Sequence, residues 1–297
     1  MSNYDDIFSN PPQQPEESRP FDKNAWAERK QAERQEVYVL ADSSVEKIAA
    51  SGDAFKEYLD VQSKFDRYSV TNALLITAQM PQATQLKDFD SWKENGVSIK
   101  KQQKGISILE PGDEYTRDDG TVGISYNVKK VFDVSQTTAR TKQQPMTNRD
   151  EHLLLKALIN NPPVPIQSVD ELPGNVGAYY DHDQQAILVR KGMDAPDIFR
   201  SVSKELARAE LAVGSESYSR EDTSFKAYCA SYLLCKKNGI DVSGYNFNEL
   251  PGNIRDADPQ SIRAELTVIR DAAGDISARM AKVLEQSKAT RQKEQER

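Results

Sequence analysis

Residues 68–109, YSVTNALLITAQMPQATQLKDFDSWKENGVSIKKQQKGISIL, change from a helical pattern to a strand pattern within a single stretch of chain. Ser69 or Thr71 can cap a helix, because a side-chain oxygen there accepts hydrogen bonds from the free N–H groups of the first turn. A run of leucine, isoleucine and alanine follows, and Pro81 ends the helix. The β-branched side chains of Val97–Ile99 then predict a strand, so helix gives way to sheet within this stretch.

A small antiparallel sheet is predicted to follow. Gly105–Leu109 has the composition of a strand, Asp118–Gly120 is a strong hairpin-turn signal, and Ile124–Val134 alternates as a return strand does. Upstream, charged and alanine-bearing sequence predicts an exposed helix over Asn24–Val39 and a separate helix that ends at Ala50. Helices followed by a small antiparallel sheet indicate an α+β fold.

The C-terminal half is predicted to be mainly helical, with a short hairpin. Its predicted elements are a helix at 151–159, a strand at 165–169, a hairpin of 177–180 with 186–190, helices at 197–211 and 224–238, and a last helix from 258 to about 285. Gly239 stands where a left-handed residue would cap the helix at 224–238. A charged tail is expected beyond the last helix.

Composition limits the classes of function. The chain has 297 residues and a formal net charge of −7, so any contact with nucleic acid would need a local basic patch. No stretch of about 18 apolar residues occurs, and no membrane span is expected. Cys229 and Cys235 fit neither a disulfide framework nor a metal knuckle, so we expect buried free thiols in a reducing cytoplasm. The polar, acidic residues 1–21 are expected to form a disordered tail rather than a signal peptide.

The stretch Lys204-Glu205-Leu206-Ala207-Arg208 has the frame of a zinc-peptidase motif without its metal ligands. In an HExxH site two histidines at i and i+4 bind Zn²⁺, and the glutamate between them is the general base. Protonated lysine and arginine have no lone pair to offer a metal. Taken alone, the stretch is an ordinary charged helix face.

Several stretches taken together resemble the ArdC-like, or LtrC-like, proteins of plasmids and conjugative elements. They are residues 68–109, YNVKKVFDVSQT (126–137), SVSKELARAEL (201–211), FKAYCASYLLCKKNGIDVSGYNF (225–247) and DPQSIRAELTVIRDAAGDIS (258–277). The resemblance covers roughly residues 50–285. These proteins join an N-terminal single-stranded-DNA-binding domain to a zincin-like metallopeptidase domain, and the resemblance implies the same order here.

The resemblance also implies what the second half has lost. The family's HExxH falls on Lys204 to Arg208, and its further acidic ligand falls near Tyr228, so all three ligand positions are replaced. Glu205 alone remains, and we expect it to pair with a cation or to help pack its helix. No catalytic residue, metal or cofactor is therefore expected. His182 is compatible with a metal-binding cluster or with a polar hairpin turn, which aspartate favours.

A surface for single-stranded DNA is implied in the first half. Single-strand binders combine cations that follow the phosphates with aromatic faces that stack the bases. The candidate residues are Arg67, Tyr68, Asn72, Trp92, Lys100, Lys101, Lys104, Tyr126 and Lys130. Trp92 could instead be core, and Asn72 could bond local backbone. By strand parity, Tyr126 could share a surface with Lys130 or lie in the core with Phe132.

These patterns predict five segments: a tail (1–21), an ArdC-like nucleic-acid-binding domain (22–138), a linker (139–149), a degenerate zincin-like metallopeptidase domain (150–250), and a C-terminal helix with a charged tail (251–297). The function expected is that of a non-enzymatic accessory protein of a mobile element that binds and protects incoming single-stranded DNA, as an antirestriction protein would. The alternatives are a protein-interaction module, using the pseudopeptidase cleft or the C-terminal helix, and an active zinc peptidase with unusual ligands.

Overall fold

The computed structural model describes residues 22–139, 150–213 and 217–295. Its first element is α1, Lys23–Ala50, capped by Asp22, whose side chain accepts hydrogen bonds from Asn24 N and Ala25 N. The prediction of two helices in this region is wrong. Ser44 Oγ donates to the carbonyl of Leu40 at 2.6 Å, so the serine bonds back within a continuing helix instead of capping a new one.

Three further helices and one sheet complete the first half. The helices are α2 (Gly52–Lys64), α3 (Val70–Gln79) and α4 (Phe89–Glu94), and the strands are β1 (Leu86–Asp88), β2 (Ile106–Thr116) and β3 (Val122–Asp133). Ser69 caps α3 as predicted. The sheet is antiparallel with the order β1-β3-β2. The predicted strand at 97–99 is only a bridge between Ile99 and Thr137.

The second half carries five helices and a second sheet within the described residues. The helices are α5 (Glu151–Leu158), α6 (Ala195–Ala212), α7 (Arg220–Asn238), α8 (Gly252–Arg255) and α9 (Pro259–Gln295), and the strands are β4 (Ile166–Val169), β5 (Ala178–Asp181) and β6 (Ala186–Arg190). β6 is central, parallel to β4 and antiparallel to β5, which leaves β5 at an edge. Gly239 adopts the predicted left-handed conformation, with φ of 73°.

One large apolar cluster joins elements from both halves. Phe55 and Leu74 from the first half lie in it with Phe199, Leu234 and Ile276 from the second. The α+β fold class is confirmed. The division into domains stays a prediction, and the tail at 1–21 and residues 140–149 of the linker lie outside the described residues. Cys229 and Cys235 are free and buried.

Over the described part of the chain, no helix is both long and apolar enough to cross a membrane.

Candidate functional site

Glu205 lies at the centre of a buried cluster of charges between α6, α7 and β5. Its side chain is 1% exposed. Oε1 accepts a hydrogen bond from Arg208 Nη1 at 2.5 Å, and Oε2 accepts from Arg220 Nη2 at 3.1 Å. The backbone N–H of Tyr180 also donates to Oε2, at 2.9 Å. Both carboxylate oxygens therefore have charged partners, as a buried ion needs.

The two arginines are held by further contacts. Arg208 Nη2 donates to Ser224 Oγ at 3.0 Å, and Arg220 Nη1 donates to the carbonyl of Tyr180 at 3.2 Å. The Arg220 guanidinium also lies over the ring of Tyr179, 4.2 Å from its centroid. Because Tyr180 lies on edge strand β5, its outward N–H and carbonyl are both occupied by side chains of the cluster. The cluster thus fastens α6, α7 and β5 together.

Lys204 lies beside this cluster and is partly buried. Burial lowers the pKa of its ammonium group, Glu205 opposes that shift, and the positive charges of Arg208 and Arg220 lower it further. The positive charges of Lys204, Arg208 and Arg220 would also repel a divalent cation at this place.

The residues present do not fit a zinc ion. Glu205 is the one metal-binding side chain in the motif frame, and its oxygens are bonded to guanidinium groups. Among the described residues, no group of three or more His, Cys, Asp or Glu side chains could hold a metal. His182 belongs to a polar turn: Asp181 Oδ1 accepts from the N–H groups of Asp183 and Gln184, and the imidazole stacks on Tyr218 at 4.5 Å.

Tyr228, near which the resemblance places the third ligand, makes contacts with residues that follow α7. Its hydroxyl accepts a hydrogen bond from Asn246 N at 2.6 Å, and its ring packs against Tyr245 and Phe247. The residue of α7 that contacts Arg208 is Ser224, one helical turn earlier. Arg220, which sequence reasoning missed, completes the cluster from the first residue of α7.

Two of the residues predicted to bind nucleic acid are structural. Trp92 is 3% exposed, and its indole N–H donates to the carbonyl of Phe132 at 2.9 Å, so it is core rather than a stacking face. Asn72 is buried, and its amide both donates to the carbonyl of Leu109 and accepts from the N–H of Leu109, each at 2.8 Å. This amide fastens α3 to β2, and its burial keeps it away from a phosphate at the surface.

Arg67 and Tyr68 lie together in the turn between α2 and α3. Arg67 is exposed, whereas Tyr68 is half-buried with its ring edge-on to Phe65. Burial raises the pKa of the Tyr68 hydroxyl. Arg67 is therefore accessible to a ligand, and most of the Tyr68 ring is committed to packing.

The lysine loop, defined here as residues 100–104, is held against the chain that follows β3. Lys100 N donates to the carbonyl of Gln136 and Lys100 Nζ to that of Ser135, both at 2.9 Å. Gln136 Nε2 donates to the carbonyl of Lys104 at 2.8 Å. The side chains of Lys100, Lys101 and Lys104 are exposed. Backbone anchoring therefore presents three cations to solvent on a fixed turn.

Lys129 and Lys130 point to opposite faces of β3, as parity predicts. Lys129 Nζ lies 3.0 Å from Asp88 and 3.0 Å from Glu110, so it is neutralised within the sheet. Lys130 Nζ bonds Ser107 Oγ at 2.6 Å and lies 3.6 Å from Glu33 of α1. Tyr126 is 40% exposed, which excludes a core role.

Sequence reasoning did not include α1 in the site. Trp26 of this helix is 46% exposed and, with Lys30 and Arg34, faces Asn127 and Val128 of β3. The available signal was a tryptophan in the charged N-terminal part of this helix, where no other large apolar side chain precedes Val37.

No known family model matches the chain. An uncharacterized protein of Bacillus anthracis is 23% identical across 71% of this chain and 45% of that protein, so the chain spans less than half the length of this relative. Two crystal structures of the antirestriction ArdC protein from plasmid R388 are similar to 72% of the chain with a TM-score of 0.49. The metal-free one is 18% identical with 86% of its chain covered, and the Mn(II)-bound one is 17% identical with 85% covered. ArdC-like proteins are also the class that the sequence resembles.

Proposed function

We propose that this chain is a non-enzymatic accessory protein of a mobile element, which binds single-stranded DNA and protects it in an antirestriction role. The observation that carries the proposal is the lysine loop. Lys101 and Lys104 form no ion pair within the described residues, and the backbone of the loop is fixed against Gln136. Exposed, positioned cations of this kind suit phosphate binding without base specificity.

The antirestriction part of the proposal comes from the resemblance of the sequence to the ArdC-like proteins. A protein that coats incoming strands without reading their sequence fits such a role.

The absence of peptidase activity is proposed from the chemistry around Glu205. A general base needs a metal-bound water to activate, and each oxygen of this carboxylate already accepts from an arginine. The same cluster argues against a peptide-binding cleft at this place. A bound peptide would pair with the outward N–H and carbonyl of Tyr180, and these are bonded to Glu205 and Arg220.

Fluorescence anisotropy with a labelled single strand and with the matching duplex tests the proposal. We expect preference for the single strand and an affinity that falls steeply between about 50 and 200 mM salt, because binding releases counterions. No binding at the lowest salt would refute DNA binding.

Elemental analysis and a peptide-hydrolysis assay with added zinc test the proposed absence of peptidase activity. Stoichiometric zinc, together with hydrolysis that Glu205→Gln abolishes, would overturn the non-enzymatic assignment.

A further inference from the structure

The N-terminal part of α1 and β3 enclose an open groove of 620 Å³, called here the α1–β3 groove. Trp26, Lys30 and Arg34 line it on the helix side, and Asn127 and Val128 line it on the strand side. Its volume lies within the range of about 300–1,000 Å³ typical of pockets for small organic ligands. An unstacked nucleotide fits a space of this size, and a duplex does not.

The side chains on the helix side of the groove combine an aromatic face with cations. Trp26 is 46% exposed, and the side chain of Lys30 is 50% exposed. Arg34, whose side chain is partly buried, adds a second cation to this side of the groove.

Lys130 connects this groove to the lysine loop. Gly105, the residue after Lys104, packs closely against Lys130. A Cβ atom added to Gly105 would lie only 3.1 Å from the Cβ atom of Lys130. From there the Lys130 ammonium group reaches toward Glu33 of α1, 3.6 Å away. Lys130 therefore lies between the end of the lysine loop and α1, and the cations of the loop, Lys130 and the cations of α1 are together called here the cation track.

Glu33 is the acidic residue on this track. Its carboxylate lies 2.9 Å from Lys30 Nζ and 3.6 Å from Lys130 Nζ. The hydrogen bond from Lys30 lowers the pKa of Glu33, burial opposes that shift, and the charge of Lys130 lowers the pKa further. At neutral pH the carboxylate thus offsets the positive charge of two lysines that face the groove.

We propose that one nucleotide of bound single-stranded DNA lies in the α1–β3 groove, with its base stacked on Trp26 and its phosphates on Arg34, Lys30 and Lys130, and that Glu33 limits the affinity. This inference rests on the proposed function and adds the path of the strand, its stacking residue and a counter-charge that weakens binding.

Intrinsic fluorescence gives a direct test, because the chain has two tryptophans and only Trp26 is exposed, Trp92 being 3% exposed. Titration with an unlabelled single strand should quench the emission of the wild-type protein. In Trp26→Phe the quenching should disappear while most of the affinity remains, because phenylalanine keeps a ring for stacking.

Affinity measurements on matched variants complete the test. Trp26→Ala should weaken binding roughly 5-fold or more, since stacking on an aromatic residue contributes about 1–3 kcal/mol per base. Tyr38→Ala, at an exposed aromatic of the same helix outside the groove lining, should change the affinity less than about 2-fold.

The counter-charge is tested by a gain of affinity. Glu33→Gln should tighten binding by roughly 2- to 5-fold at low salt, an effect that loss of structure could not produce. Glu36→Gln removes an exposed acid one turn away and serves as the control for net charge.

The outcomes separate the two proposals. No anisotropy change with any strand removes DNA binding as a whole. Binding by anisotropy without tryptophan quenching, with Trp26→Ala and Glu33→Gln at wild-type affinity, would overturn the groove alone. Equal or tighter binding of an RNA strand of the same sequence would overturn DNA as the preferred occupant.

Discussion

The Glu205 cluster and the lysine loop are both rich in charge, and they differ in whether those charges have protein partners. In the cluster, Glu205 is 1% exposed and both of its oxygens are bonded to arginines. In the loop, the lysine side chains are exposed, Lys100 Nζ donates only to the neutral carbonyl of Ser135, and Lys101 and Lys104 form no ion pair within the described residues. Charges with protein partners stabilise the fold, whereas solvated cations remain available to a polyanion. This difference is why we place DNA binding in the first half of the chain.

Glu205→Ala should have the largest effect on stability. It leaves the buried Arg208 without its carboxylate, and breaking a buried pair in this way costs about 3–5 kcal/mol. Urea denaturation measures the loss. Glu221→Ala, at an exposed acid in the first turn of the next helix, is the control and should cost less than about 1 kcal/mol. A loss for Glu205→Ala no larger than that of the control would show that the cluster is not structural.

Asn72→Ala should destabilise the protein by about 2–3 kcal/mol, because the N–H and carbonyl of Leu109 both lose a buried partner. Thr71→Ala, on the neighbouring residue of the same helix, is the matched control. The affinity of the folded protein for DNA should not change in either variant. If Asn72→Ala had wild-type stability but weaker DNA binding, Asn72 would be a DNA-contacting residue instead.

Asp133→Asn should destabilise the protein by about 1–2 kcal/mol at pH 7. Burial raises the pKa of Asp133, and the N–H groups of Gln85, Thr84 and Ser135 more than offset this, so the folded-state pKa is lowered. The stability that it supplies is therefore present above the unfolded pKa of about 3.9 and is lost as the pH falls through the lower folded value.

The pH series on Asp133→Asn has a specific signature. The free energy of unfolding of Asp133→Asn should fall less steeply with decreasing pH than that of the wild type below about pH 4. Asp118→Asn, in the exposed hairpin turn, is the control and should follow the wild-type curve. Parallel acid limbs for Asp133→Asn and wild type would contradict the role given to this carboxylate.

Local sequence signals predicted most of the elements and few of the contacts. Cap residues, the turn at Asp118–Gly120 and the left-handed Gly239 are local, and they predicted α3, the hairpin and the end of α7. The division of α1 was wrong because a serine that could start a helix bonded back to Leu40 instead. β1 was missed, since a three-residue edge strand carries little pattern of its own.

The site residues divide in the same way. The lack of metal-binding side chains at Lys204 and Arg208 is visible in the sequence, because it depends only on residue type. The partners of Glu205 are not, since Arg220 and Tyr180 lie 15 and 25 residues away along the chain. The structural roles of Asn72 and Trp92 are not visible in the sequence either, because their hydrogen bonds run to residues 37 and 40 positions away. Only the packing of α3 and α4 on the sheet reveals these bonds.

The most direct measurement is the salt dependence of single-strand binding by Lys100→Ala/Lys101→Ala/Lys104→Ala. Lys282→Ala/Lys288→Ala, which removes exposed cations of α9, is the control, and denaturation curves confirm that both variants fold. Each phosphate contact contributes about 0.7 to the slope of log affinity against log salt for single strands. We predict a slope for the loop variant that is shallower than wild type by roughly 1–2, and a wild-type slope for the control. An unchanged slope in the loop variant would contradict the assignment of DNA binding to the lysine loop.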